Sequence, residues 1–253
     1  MKQNALFIIG AQRSGSTFLY HLLDEHPEIS LVKPVRPEPK TFLDEYSSIA
    51  SLGEYATRYS ASFTLGAKYI GEKSTSYFES VKVAKRIQAC CPDAKILVIL
   101  RDPVARAYSN YRFSVENGIE NLPFGDALAV ETVRLEQANY ESSVNPYAYR
   151  TRGEYARYLA AYLTVFPKNA IKACILEEFS RRRSGLIDVY RWLGVDPDFS
   201  PKTSNSIVNA SAEMDQIDPD VRRWLIKQYA KPIGELEEIL GRTVEVWRNV
   251  WNK

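Results

Sequence analysis

Little in this chain points to metal, redox or disulfide chemistry. Its 253 residues hold three cysteines and two histidines. Cys90 and Cys91 are adjacent, Cys174 stands far from both, and no metal-type spacing joins them to His21 or His26. Such a set is a poor disulfide framework, so buried or free thiols in a reducing compartment are expected, and with them a cytoplasmic protein. The formal net charge is only +2, which gives no reason to expect nucleic acid as a partner. Long apolar runs are missing too: the longest, near Ile96 to Leu100, falls far short of a membrane span. The first residues enter a strand pattern directly, without the charged, apolar and cleavage regions of a targeting peptide. No repeat, low-complexity tract or linker divides the chain, so one domain over residues 1–253 is expected. Apolar and charged contents of 45% and 25% suit a soluble globular fold.

What is present begins with Ala5 to His26. Leu6 to Ile9 is a short continuous apolar run, the pattern of a strand buried on both faces. Phe18, Leu19, Leu22 and Leu23 then recur at helical spacing. Between them lies Gly10-Ala11-Gln12-Arg13-Ser14-Gly15-Ser16-Thr17, the phosphate-binding pattern G-x-x-x-x-G-K-[ST] with Ser16 in place of its Lys. Glycines allow the turn, and loop N–H groups with the helix N-terminus suit an anion. A nucleoside-triphosphate enzyme needs that Lys for its β- and γ-phosphates, whereas the cation in this loop is Arg13.

Further strands are expected over Glu28–Val32, Ala67–Gly71, Lys95–Leu100 and Ala170–Leu176. Helices are expected over Leu52–Ser60, Ser80–Cys90, Pro103–Asn117, Arg152–Phe166, Ser184–Leu193 and Pro219–Leu240. Asp102 and Pro103 form a strong helix start, and Gly118 a natural stop. Asn121–Pro146 reads as a helix with long flanking loops, and Pro197–Ala212 as a long loop. Strands alternating with helices imply an α/β, three-layer domain of P-loop type, with a central, mostly parallel sheet flanked by helices. Between Lys33 and Lys40 the prolines at 34, 37 and 39 forbid helix and interior strand. That stiff loop sets cations around a single carboxylate, Glu38.

Ligands of open parallel sheets bind at the carboxyl ends of the strands. The Gly10 loop, Glu72-Lys73-Ser74 and Arg101 all fall at such ends. Ser109 lies about two turns into the helix that Asp102 caps, on the face of its start, so Arg101 and Ser109 can share a phosphate group.

These segments resemble sulfotransferases. FIIGAQRSGSTFLYHLL is similar to their 5′-phosphosulfate-binding loop and ILVILRDPVARAYSNY to their 3′-phosphate-binding strand and helix. The arrangement most resembles the sulfotransferase domain of the heparan sulfate N- and O-sulfotransferases and their bacterial relatives. Glu38-Pro39-Lys40-Thr41-Phe42 takes the place of that group's Glu-x-(His/Gln/Lys)-Phe-Phe segment, and Glu72-Lys73-Ser74-Thr75-Ser76-Tyr77-Phe78 matches its Glu-Lys-Ser/Thr-x-x-Tyr-Phe segment. Arg152-Gly153-Glu154-Tyr155 with Leu159 resembles its Gly-x-Tyr-x-x-x-Leu helix. Three departures stand out: Arg13 replaces the usual Lys, Thr41 interrupts the aromatic pair, and Lys202–Ser211 lacks the cysteines that flank a nucleotide-contacting loop in the eukaryotic domain.

The resemblance implies transfer of a sulfuryl group from 3′-phosphoadenosine 5′-phosphosulfate (PAPS) to a hydroxyl or amine of a carbohydrate or small metabolite, without a metal. Gln12, Arg13, Ser14, Gly15, Ser16 and Thr17 would hold the 5′-phosphosulfate, and Arg101 and Ser109 the 3′-phosphate. Glu38 would be the general base, with Glu72 the alternative carboxylate. Arg13 would meet charge on the departing phosphate, and Lys40 and Lys73 would orient the sulfate. The competing readings are a P-loop kinase or nucleotide hydrolase, which needs Lys at position 16 and a magnesium carboxylate, and a non-catalytic nucleotide-binding module, which needs no Glu38.

Overall fold

The computed structural model describes residues 3–43, 49–137, 145–179, 184–205 and 216–251. Its centre is a five-stranded, wholly parallel sheet in the order β2-β3-β1-β4-β5. The strands are β1 (Asn4–Gly10), β2 (Ile29–Leu31), β3 (Tyr69–Lys73), β4 (Lys95–Leu100) and β5 (Ile171–Ile175). The helices are α1 (Ser16–Asp24), α2 (Leu52–Arg58), α3 (Val81–Cys90), α4 (Pro103–Glu116), α5 (Phe124–Ala129), α6 (Glu131–Gln137), α7 (Tyr155–Leu163), α8 (Leu176–Phe179), α9 (Ser184–Leu193), α10 (Pro219–Leu240) and α11 (Glu245–Trp251).

The unbroken apolar runs of β1 and β4 follow from burial on both faces. Ala5, Phe7 and Ile9 with Ile96, Val98 and Leu100 enter one core, which α3, α4, α7, α10 and α11 cover. Leu6 and Ile8 with Leu97 and Ile99 enter the other, against α1 and α9. Helix starts are fixed locally: Asp102 Oδ1 accepts from the N–H groups of Val104 and Ala105 at 2.9 and 3.0 Å, and Pro103 occupies the first turn. No helix among the described residues is long and apolar enough to cross a membrane.

Several boundaries differ from the sequence expectation. β3 runs Tyr69–Lys73, not Ala67–Gly71, because pairing with β1 continues through Phe7↔Glu72 and Ile8↔Lys73. A two-residue shift keeps every side chain on its face, and the hydroxyl groups around Glu72 make its burial tolerable. Arg152 lies in a 3-10 turn, Thr151–Gly153, ahead of α7, not within a helix that begins at it. The Asn121–Pro146 segment contains two short helices, α5 and α6, while residues 138–144 lie outside the described residues. In the expected loop Pro197–Ala212, Lys202–Asn205 forms a 3-10 turn and residues 206–212 lie outside the described residues. Helix α11 was not expected; its Trp247 is buried.

Candidate active site

The loop between β1 and α1 is shaped by two glycines. A Cβ on Gly10 would approach Phe78 Cβ to 2.8 Å, and one on Gly15, at φ 84°, would meet Leu176 Cδ1 at 2.7 Å. Gly15 also stands at the N-cap of α1, and no side chain among the described residues caps that turn. The first-turn N–H groups are therefore left to an incoming anion, which the helix dipole favours. Arg13 adopts a left-handed backbone, φ 63°, that costs a non-glycine residue about 1 kcal/mol or more. Its side chain crosses to α4, where Nε donates to Ser109 Oγ at 3.3 Å and the guanidinium lies 4.9 Å from the Phe113 ring centroid.

Arg101 follows the last residue of β4 and is nearly buried; its Nη1 reaches the Arg13 carbonyl at 3.4 Å. The turn that carries it is held from beneath. Tyr155 donates to the Arg101 carbonyl at 2.9 Å, and the Asp102 N–H donates to Glu177 Oε1 at 2.8 Å. Two indole N–H groups of α11 complete the clamp: Trp247 donates to Glu177 Oε2 and Trp251 to Asp102 Oδ2, at 2.8 and 2.7 Å. Burial pushes the Asp102 carboxyl up to about 6 and raises that of Glu177.

On the other side of the cleft, Glu38 is half-buried and fully engaged. Its carboxylate accepts from the Thr75 N–H at 2.9 Å and from Thr75 Oγ1 at 3.0 Å, and it pairs with the buried Lys73 ammonium. Lys73 thus faces Glu38 and is not among the side chains that line the cleft. Glu72 is wholly buried and accepts from Tyr77, Ser74 and Tyr55 at 2.6, 2.7 and 3.1 Å, and from Thr41 Oγ1. Buried in this way, Glu72 is not among the residues that line the cleft, and its acceptance from the Thr41 hydroxyl accounts for a threonine in the aromatic pair. Ser74 Oγ in turn accepts from the Lys40 N–H at 2.9 Å, so Glu72 fixes the backbone on which Lys40, exposed at φ 53°, reaches the cleft. Lys33 points elsewhere, to Asp24 at 3.0 Å.

One cleft of about 760 Å³ joins these parts. Gln12, Arg13, Gly15, Ser16 and Thr17 line it with Arg101 and Ser109 on one side and Glu38 and Lys40 on the other. Ser14 is buried and is not among the lining residues. No group of His, Cys, Asp or Glu among the described residues is arranged to hold a metal ion.

A family profile described as a sulfotransferase domain matches residues 3–172. The chain belongs to the sulfotransferase family. The human bifunctional heparan sulfate N-deacetylase/N-sulfotransferase 2 is 26% identical to it over 75% of this chain and 22% of that protein. A membrane-associated sulfotransferase of Dictyostelium discoideum is 33% identical over 43% of this chain and 22% of its own. The chain thus spans less than a quarter of the length of these relatives. A crystal structure of a sulfotransferase from Alicyclobacillus acidocaldarius superposes over 98% of this chain and 100% of that one, with 30% identity and a TM-score of 0.78. Mouse SULT7A1, solved as a complex with PAP, shares the fold at 12% identity and a TM-score of 0.58, over 99% of this chain and 88% of its own.

Sequence reasoning about this sulfotransferase missed several cleft residues. Thr75 and Ser76 lie in the segment quoted for Lys73, and Phe113 lies one turn beyond Ser109, so both signals were within reach. Arg36 stands in the proline loop beside Glu38. Arg152 lies in the segment quoted with Gly153 and Tyr155, whereas Asn110 carried no local signal, because nothing in the 3.6-residue period says which polar residue of a buried helix face opens onto a cleft.

Proposed function

We propose that this sulfotransferase moves the sulfuryl group of PAPS to a hydroxyl or amine acceptor, with Glu38 as general base. The observation that carries this reading is the single cleft in which the anion-binding loop, the Arg101–Ser109 pair and Glu38 meet. The donor set fits the nucleotide: a glycine-shaped loop at a helix N-terminus, with the Arg101 guanidinium and the Ser109 hydroxyl both in contact with Arg13 of that loop. PAPS supplies an activated sulfuryl group when bound. The loop N–H groups with Ser16 and Thr17 hold its 5′ end, and Arg101 and Ser109 bind the 3′-phosphate. Arg13 meets the negative charge that grows on the departing phosphate. Glu38 takes the acceptor proton on a carboxylate oxygen that Thr75 and Lys73 hold in place, which makes Lys73 a positioning residue. Lys40, at the cleft rim, pairs with sulfuryl oxygens.

The solved complex of mouse SULT7A1 with PAP supports a nucleotide of this kind, and the N-sulfotransferases of heparan sulfate support a carbohydrate amine among the accepting groups. The test is calorimetric titration with adenosine 3′,5′-bisphosphate (PAP) in the presence of EDTA, followed by a mass-spectrometric screen of acceptor pools with PAPS. Retained binding under chelation and a gain of one sulfuryl group on an acceptor are expected. Binding that needs magnesium, or thermal stabilisation by magnesium–ATP and none by PAP, would return the chain to the kinase reading.

A further inference from the structure

No residue of helix α11 lines the cleft, yet its two indoles reach the turn that carries Arg101. That turn is fixed on both sides of one peptide bond. Tyr155 donates to the Arg101 carbonyl at 2.9 Å, and Glu177 Oε1 accepts from the next N–H, that of Asp102, at 2.8 Å. A peptide is planar, so turning this one costs both hydrogen bonds, and the direction in which the Arg101 side chain leaves β4 is set with it.

Both holders are themselves held by α11. Trp247, 1% exposed, donates to Glu177 Oε2 at 2.8 Å, so one carboxylate bridges the indole and the Asp102 N–H. The same indole packs against Tyr155, with ring centroids 6.1 Å apart. Trp251 donates to Asp102 Oδ2 at 2.7 Å, while Oδ1 of that carboxylate caps α4, the helix that carries Ser109. Helix α11 is seated in turn on α10: Glu237 Oε1 accepts from the Val244 N–H at 2.9 Å and from Arg248 Nε at 3.0 Å.

The need to satisfy a buried carboxylate accounts for a donor beside Asp102 or Glu177 taken singly. It does not account for their convergence, two indoles of one short helix on two carboxylates at the base of one arginine. Glu177 also attracts the Arg101 guanidinium through its charge, so the indole that fixes Glu177 fixes the field behind that side chain as well.

We infer that Trp247 and Trp251 are positioning residues for the nucleotide's 3′-phosphate: through Glu177 and Asp102 they hold Arg101 and the start of α4 in the arrangement that this phosphate meets. The inference rests on the assignment of the 3′-phosphate to Arg101 and Ser109. It adds to that site a helix whose Trp251 lies 149 residues beyond Asp102.

The experiment uses the full chain and the variants Trp251→Phe, Trp247→Phe and Arg101→Ala. Phe keeps an apolar ring and removes the indole donor. Trp251 is partly exposed and its variant carries the test should Trp247→Phe fail to fold. Affinity is measured by calorimetry for PAP and for adenosine 5′-monophosphate (AMP), which lacks only the 3′-phosphate, with urea unfolding alongside. Each Trp variant should weaken PAP binding about 3- to 10-fold, the size of one hydrogen bond, and leave AMP binding nearly unchanged. Coupling is reciprocal, so at equal saturation PAP should slow hydrogen exchange in α11 more than AMP does, and Arg101→Ala should abolish the difference. Lower stability with an unchanged PAP-to-AMP affinity ratio in the Trp variants would make the indoles supports of the fold alone and overturn the inference. So would exchange in α11 that responds alike to both nucleotides while Arg101→Ala still discriminates between them. Equal losses for PAP and AMP in Arg101→Ala would overturn the assignment of the 3′-phosphate to Arg101, and the inference with it. Failure of the parent enzyme to bind PAP would overturn the nucleotide reading itself.

Discussion

Replacing Glu38 by Gln tests base and scaffold together, and the structure separates the two effects. The carboxylate is held by Thr75 through N–H and hydroxyl and by the ammonium of Lys73, whose side chain is 2% exposed against 16% for Glu38. Gln keeps the shape and an acceptor for Thr75 but removes the charge. Loss of general-base catalysis should cut kcat about 10²- to 10⁴-fold. Loss of the ion pair leaves Lys73 buried without its carboxylate; breaking a fully buried pair costs about 3–5 kcal/mol, and with one partner partly solvated about 2 kcal/mol is expected. Adding Lys73→Met removes the stranded charge, so the double variant should regain most of the stability and none of the turnover. Nucleotide affinity should stay constant, since neither side chain faces the loop. The measurements are urea unfolding, PAP calorimetry and turnover at saturating PAPS. Near-normal kcat in Glu38→Gln, or recovery of turnover together with stability in the double variant, would show that Glu38 holds the fold and does not take the proton.

Arg101→Ala should weaken PAP binding roughly 10- to 100-fold while changing affinity for adenosine 5′-phosphosulfate little, as only the former carries the 3′-phosphate that Arg101 is assigned to bind; equal losses, read by calorimetry, would make Arg101 a support for the Arg13 loop alone. Glu79 sets a pH dependence. Its folded-state carboxyl is raised from 4.5 to about 7, so the folded protein holds that proton more tightly than the unfolded chain. Its contribution is therefore complete below about pH 4.5 and is lost as pH rises towards 7, on the order of 3 kcal/mol in all. Urea midpoints should fall over that window in the parent enzyme, and Glu79→Gln should flatten the fall; an undiminished slope would assign the effect to other carboxyls.

The extent of β4, the glycine-shaped loop ahead of α1 and the capped start of α4 were legible in the sequence because each is a local matter. A strand buried on both faces must be apolar throughout, as Lys95–Leu100 shows in full agreement with its expected bounds. Asp102-Pro103 starts a helix through its own side chain and ring, and Ser184–Leu193 declares itself by period alone. Glu38 was legible as a lone carboxylate in a stiff loop. Its partner was not: the adjacent lysines and arginine looked as suitable as Lys73, which reaches it from the end of β3. Glu72 and Lys73 are neighbours in sequence with opposite fates, because alternate strand residues face opposite sides of the sheet and the register with Phe7 and Ile8 decides which side each meets. Residue order alone was enough for an α/β sulfotransferase fold with a glycine-shaped loop ahead of α1 and a cation after β4. It took three-dimensional packing to make Glu72 a buried anchor for Thr41 and Ser74, to turn Lys73 towards Glu38 and to open Arg152 onto the cleft, since charge pairing and burial are set by groups that meet across the sheet and not along the chain.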